Sequence, residues 1–199
     1  MKLLFVSITN RCDRACGYCP VATWRNNPAF PDSLTLDRCK EVIEDFKPTH
    51  AEVTGGEPTM SPMLDGLLDL LEAKGIYYMV KSNGLKRCRQ QITAWHDGLG
   101  SPPKNYDKIL VLKTGEWEEK LRWCKERNIP YGLIGFNSPP LVPQNRLIEQ
   151  RFLCPDGKLK MCHESEKVEN PALNCINCKA VSDFLAFADK GIYAYAEAV

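Results

Sequence analysis

The feature that most constrains this chain is a recurring alternation of short apolar runs with amphipathic helical patterns, which fills its first two thirds. Residues 2–9 form an apolar run. Residues 35–46 place Leu36, Cys39, Val42, Ile43 and Phe46 on one helical face. The segment 50–54 reads as a second strand. Ser61-Pro62 offers a capped start to a Leu-rich helix that stops at Lys74-Gly75. Residues 76–82 are rich in strand formers, and a shorter helix is expected over 86–95. Strands at 107–112 and 130–135 flank a charged amphipathic helix at 116–127 that Thr114 could cap, and a last strand is expected near 147–153. Strand–helix units of this length imply an α/β fold with a parallel sheet and crossover helices. Five or six strands are too few for a closed eight-stranded barrel, so the expected fold is a partial, open parallel β/α barrel. Ligands in such folds bind beyond the carboxyl ends of the strands. The loops after residues 9, 54, 82, 113 and 136 are therefore the expected functional rim.

After about residue 150 the pattern changes to short, cysteine-bearing turns, which sets the expected division into a barrel of residues 1–150 and a small Cys-rich extension of residues 151–199. The formal net charge of +1 gives no broad field for nucleic acid or an anionic membrane. The apolar N-terminal run is short and continues into Thr9-Asn10-Arg11-Cys12 without a small-residue cleavage site, so it reads as a buried strand rather than a secretion signal. No apolar run is long enough to span a bilayer. The reading is cytoplasmic, and ten cysteines in a reducing compartment are not expected to be disulfides. Cys39, Cys88 and Cys124 stand alone in helix-like segments and read as small buried apolar residues.

The remaining cysteines are clustered. Cys12, Cys16 and Cys19 lie in the loop after the first strand. A structural zinc ion wants four protein ligands, and three cysteines leave that shell incomplete. A cubane iron–sulfur cluster has four irons, so three thiolates hold three of them and leave the fourth open for a small molecule.

The Cys-x3-Cys-x-Tyr-Cys loop from Cys12 to Cys19 resembles the signature of the radical SAM superfamily. Gly55-Gly56-Glu57-Pro58 after the second strand is similar to that family's GGE motif, and Ser82-Asn83-Gly84 after the third resembles its polar turn. Gly132-Leu133-Ile134-Gly135 follows the family's fifth-strand pattern only loosely. The resemblance covers about residues 1–140. It implies a [4Fe–4S] cluster on Cys12, Cys16 and Cys19 whose open iron takes the amino and carboxylate groups of S-adenosylmethionine. It implies that Gly55 and Gly56 admit the cofactor closely, that Glu57 accepts from its ammonium, that Tyr18 packs near its adenine, and that Ser82 and Asn83 meet its polar groups. Reductive cleavage to a 5′-deoxyadenosyl radical and hydrogen abstraction from a substrate would follow, fed by a flavodoxin- or ferredoxin-type electron donor.

In the tail, Pro155-Asp156-Gly157 is a tight-turn signal that would bring Cys154 and Cys162 together across a hairpin, and Cys175-x2-Cys178 supplies a second pair. Two pairs make a closed four-thiolate site, and spacing alone allows zinc or iron–sulfur. The Gly157-x4-Cys162 element resembles the SPASM/twitch extension, which implies one auxiliary [4Fe–4S] cluster. His163 reads as an exposed turn residue. Candidate substrate contacts are Trp24-Arg25-Asn26-Asn27, Trp95-His96-Asp97, Lys113 and Asn137-Ser138, each with a plain reading as a solvated loop or buried aromatic. Lys86, Arg87 and Arg89 read as a solvated helix face. Three functions stay open: a radical enzyme acting on a small molecule or peptide, a glycyl-radical activase acting on a partner protein, and a non-enzymatic iron–sulfur or zinc module.

Overall fold

A computed structural model describes residues 2–16, 19, 22, 25–95, 101–112, 115–134 and 149–160. Its strands are β1 (Lys2–Ser7), β2 (His50–Thr54), β3 (Tyr77–Ser82), β4 (Gln91–Trp95), β5 (Lys108–Leu112), β6 (Tyr131–Ile134), β7 (Glu149–Leu153) and β8 (Leu159–Lys160). The described helices are α1 (Leu36–Phe46), α2 (Leu64–Ala73) and α3 (Trp117–Glu126), with a short 3-10 turn at Pro58–Met60. One sheet runs β6-β5-β4-β3-β2-β1-β7-β8. Strands β1 to β7 are mutually parallel, and β8 pairs antiparallel with β7. The sheet is open, with β6 and β8 at its two ends, and the architecture is that of a partial α/β barrel.

All three helices pack on one face. Leu4, Val6, Ala51, Val53, Tyr78, Val80 and Leu153 alternate toward α1 and α2, meeting Cys39, Val42, Ile43 and Phe46 of α1 and Leu64, Leu67, Leu68 and Leu71 of α2. Trp95, Ile109, Val111 and Tyr131 continue that face toward Cys124 of α3. Helix α1 forms where the spacing predicts it. Thr35 caps it by accepting from Arg38 N at 3.2 Å, and Lys47 ends it in a left-handed conformation at φ 51°. Helix α2 starts later than Ser61-Pro62, because Ser61 Oγ accepts from Met63 N at 3.3 Å and spends its cap on the turn before the helix. Cys39 and Cys124 are fully buried, and burial pushes their thiols up to about 12 and about 11. Cys88 is half-buried and likewise pushed up to about 12.

The expected helix over 86–95 is not there. Residues 91–95 are strand β4, beside β3 with Val80 opposite Gln91 and Ser82 opposite Thr93. Ile92, Thr93 and Trp95 favour a pleated surface, and the apolar residues of this stretch are too few to build a helical stripe. This strand and the short β8 carry the described count beyond the five or six expected, while β7 is the strand expected near 147–153. Parallel neighbours ordinarily need a crossover of a dozen or more residues. Here residues 83–90 suffice, because β4 is shifted along β3 and the chain need return only as far as Val80. Arg89 fastens this short connection to α2, with Nη2 at 2.8 Å from Asp69, Nη1 at 3.0 Å from Glu72, and Asp65 at 3.8 Å. Arg87 pairs with Asp107. These two arginines therefore hold a connection together instead of lining a solvated helix.

The Pro155-Asp156-Gly157 turn forms as expected. Gly157 N donates to Cys154 O, Cys154 N donates to Lys158 O, and Gly157 takes φ 78°. The expected division near residue 150 falls within β7, which lies against β1. On the face away from the helices, the rings of Phe5 and Phe152 stack at 4.4 Å and 3°. Phe152→Ala is expected to cost about 3 kcal/mol in denaturant unfolding, since it removes the stacked ring that locks β7 to β1.

Candidate cofactor site

Three loops meet at the carboxyl ends of β1, β2 and β3. The first carries the cysteines. Its root is Thr9, whose Oγ1 donates to Asp32 Oδ2 at 2.6 Å and accepts from Arg11 N at 3.1 Å. Arg11 Nε lies 3.5 Å from the same Asp32 oxygen. Asn26, in a left-handed conformation at φ 54°, grips Cys12 by both backbone groups: Cys12 N donates to its Oδ1 at 2.9 Å, and its Nδ2 donates to Cys12 O at 2.7 Å. Asn10 Nδ2 donates to the Phe30 carbonyl. Asn26 is thus engaged in shaping the cysteine loop, a role its place among the substrate-contact candidates did not suggest.

The second loop docks on the first through backbone. Gly56 N donates to Thr9 O and Glu57 N to Arg11 O, both at 2.7 Å. This contact explains the glycine pair. Gly55 has φ 142°, and a Cβ there would stand 2.4 Å from Thr9 O. A Cβ on Gly56 would stand 2.1 Å from Arg11 O and 2.8 Å from Asn10 O. The close approach that needs glycine is therefore to the root of the cysteine loop.

Glu57 ties in the third loop. It is 1% exposed. Its Oε1 accepts from Thr59 N at 3.1 Å, Thr59 Oγ1 at 2.7 Å and Ser82 Oγ at 2.9 Å, and its Oε2 accepts from Asn83 N at 2.7 Å. Ser82 shares its parity on β3 with Tyr78 and Val80, so this carboxylate sits on the helix side of the sheet. The ammonium-acceptor role expected of Glu57 falls on a group whose two oxygens already accept from protein donors. Asn83 closes the circuit, donating from Nδ2 to Asp13 Oδ1 at 2.6 Å on the cysteine loop and accepting from Leu85 N at its Oδ1. All three expected motifs thus form one hydrogen-bonded assembly.

Cys12, Cys16 and Cys19 are half-buried on this loop, and Cys19 N donates to Cys16 O. Burial raises the Cys12 thiol, the Arg14 N–H on its sulfur opposes this, and the Glu57 carboxylate adds to the rise. Among the described residues no three His, Cys, Asp or Glu side chains close around one point as a single ion requires. The donor set is instead three soft thiols on one pinned loop, suited to an iron–sulfur cluster. Arg14 Nε and Arg25 Nη1 are buried there without a hydrogen-bond partner in the structure. Such donors are costly to leave unmade and suit an anionic group such as a thiolate-ligated cluster.

The sequence model of the Radical SAM superfamily matches residues 6–140. The chain belongs to that superfamily. Two curated relatives are 7-carboxy-7-deazaguanine synthases. That of Neisseria meningitidis serogroup B is 33% identical over 109 residues, covering 52% of this chain and 44% of the relative. That of Haemophilus influenzae is 27% identical over 169 residues, covering 81% and 71%. The chain thus spans less than half of the Neisseria synthase. Among solved structures, Streptococcus suis SuiB bound to S-adenosylmethionine superposes with a TM-score of 0.51 at 11% identity, covering 92% of this chain and 65% of SuiB. SuiB bound to its precursor peptide SuiA gives 0.52 at 17%, covering 94% and 46%. These are likenesses of fold.

As a radical SAM protein, the chain is expected to hold its cluster on Cys12, Cys16 and Cys19. Tyr18, Cys162, His163, Cys175 and Cys178 lie outside the described residues, as do Trp24, His96, Asp97, Lys113, Asn137 and Ser138. Trp95 is 6% exposed and packs edge-on against Trp123 at 5.2 Å, which makes it core. Sequence reasoning missed Asp13 and Asp32, and named Asn26 only as a candidate substrate contact. Their only signal is that Asn and Asp bond backbone locally and that Asn tolerates positive φ. Gly56→Ala is expected to destabilise the protein by about 3 kcal/mol or more. It should also lose most of its reconstituted iron by iron and sulfide assay, while Asn83→Ala, which gives up the exposed Asp13 and Leu85 bonds but keeps its backbone bond to Glu57, costs about 1 kcal/mol.

Proposed function

We propose that this chain is a radical enzyme that splits S-adenosylmethionine reductively and takes a hydrogen atom from a small heterocyclic molecule. The observation that carries the reading is the single assembly of cysteine loop, GGE loop and Ser82-Asn83 turn, built from backbone and buried side-chain bonds at the strand ends. Cys12, Cys16 and Cys19 would hold a [4Fe–4S] cluster, which would supply the single electron for reductive cleavage of the sulfonium. The chain's own residues do the placing. Asn26 and Asp32 fix the loop that bears the thiolates, and Gly55 and Gly56 let the second loop close on it. Glu57 holds the third loop, with Ser82 and Asn83, in register with the other two. Gly55, Gly56, Glu57, Ser82, Asn83 and Tyr18 are the proposed cofactor-side residues.

Two relatives named for a deazaguanine product support a small ring-bearing substrate over a peptide. A flavodoxin- or ferredoxin-type donor would supply the electron. Cys154, at the turn of the β7–β8 hairpin, is the described member of a proposed auxiliary [4Fe–4S] or zinc site with Cys162, Cys175 and Cys178. No described helix is long and apolar enough to cross a membrane.

The test is anaerobic reconstitution followed by dithionite and S-adenosylmethionine. The wild type is expected to release 5′-deoxyadenosine and methionine in equal amounts. Cys12→Ala, Cys16→Ala and Cys19→Ala should each reduce that release to background. Release that persists in these variants, or none from iron-replete wild type, refutes the reading.

A further inference from the structure

Two arginines of the cysteine loop carry donors that the protein itself does not use. Arg14 lies between Cys12 and Cys16, and its Nε is buried without a hydrogen-bond partner. Arg25 directly precedes Asn26, and its Nη1 is buried in the same state. Both stand next to groups that touch Cys12. The Arg14 backbone N–H bonds the Cys12 sulfur. Asn26 bonds the Cys12 backbone at 2.9 and 2.7 Å. Arg11 is the contrast, since its exposed side chain pairs with Asp32 at 3.5 Å.

A buried donor left unmade is costly, and more so on a charged group. Two of them on one loop point to an acceptor that arrives with the cofactor. The three thiols of the same loop supply one. A cubane cluster on three thiolates is anionic, and it gains a further negative charge when it takes an electron. Hydrogen bonds to its sulfurs and the charge around it set its potential. The Glu57 and Asp13 carboxylates both bear on the Cys12 sulfur. They disfavour added negative charge there, and fixed cations oppose them. A guanidinium suits this task because it keeps its charge at every working pH.

We propose that Arg14 and Arg25 donate to the sulfurs of the cluster on Cys12, Cys16 and Cys19 and favour its one-electron-reduced form. One electron from a flavodoxin- or ferredoxin-type donor enters the cluster. No bond breaks, and the guanidiniums balance the added charge without releasing a proton. The inference rests on the radical SAM reading for the presence of the cluster.

The experiment is an anaerobic redox titration of reconstituted full-length protein, with dithionite and viologen mediators and the reduced cluster counted by electron paramagnetic resonance. Arg14→Met and Arg25→Met remove charge and donors while keeping an apolar stem. Each is expected to hold iron and sulfide as wild type does. At the wild-type midpoint, each should lower the ratio of reduced to oxidised cluster about tenfold, a downward shift of about 59 mV for one electron. Arg14→Gln and Arg25→Gln, which lose the charge but stay polar, are a second set with the same expected direction. Lys86→Met removes an exposed charge outside the assembly and should leave the ratio unchanged. The titrations are run first without S-adenosylmethionine and then with it. Wild-type ratios in the arginine variants overturn the proposal. So does an equal shift in Lys86→Met, which would make the effect one of overall charge. A shift seen only with S-adenosylmethionine present also overturns it, because the arginines would then meet the nucleotide and not the cluster. Wild type that takes up no cluster overturns the radical SAM reading along with it, whereas unchanged ratios in cluster-replete variants overturn this inference alone.

Discussion

Two backbone hydrogen bonds organise the functional end of this molecule: Gly56 N to Thr9 O and Glu57 N to Arg11 O. They extend the pairing of β1 and β2 past the ends of both strands and set the cysteine loop against its neighbour. Everything else at the rim depends on this spacing. It is too close for any Cβ at either glycine. It also brings the Glu57 carboxylate to the Ser82 hydroxyl and the Asn83 amide. A buried carboxylate is tolerable only when donors satisfy it, and four of them do. The glycines make the contact possible, and the glutamate extends it to a third strand.

Much of this was legible in the sequence, for reasons that can be named. Helix α1 announced itself because its stripe, its Thr35 cap and its burial all agree. The strands β2, β3 and β5 were legible as short runs of strand formers between turn signals. The three functional loops followed from their places after β1, β2 and β3. What local pattern could not show was β4. Gln91-Ile92-Thr93-Ala94-Trp95 is short, and its strand state is decided by pairing with Val80 to Ser82 on one side and β5 on the other. Its offset along β3 is a tertiary fact with no local signature.

The site divides in the same way. The cysteines were legible because iron–sulfur ligation restricts residue type and spacing. Asn26 was not, because its task is to bond the backbone of a residue fourteen positions earlier, and that pairing exists only once the loop is folded. Glu57 was recognised, but its engagement with four protein donors arises only when the loops after β2 and β3 meet in the fold.

The hairpin at the end of the described chain has a mechanical consequence. Pro155 O accepts from both Ser33 N and Leu34 N, at 2.8 and 2.7 Å, and Arg38 Nε donates to Gly157 O at 3.2 Å. Ser33 directly follows Asp32, which grips Thr9 and Arg11 at the foot of the cysteine loop. The tail turn and the peptide that leads into Cys12 are thereby tied to one short segment, residues 32–38. The Cys154 turn and the cysteine loop are thus joined like the handles of a clasp, with that segment as the pivot.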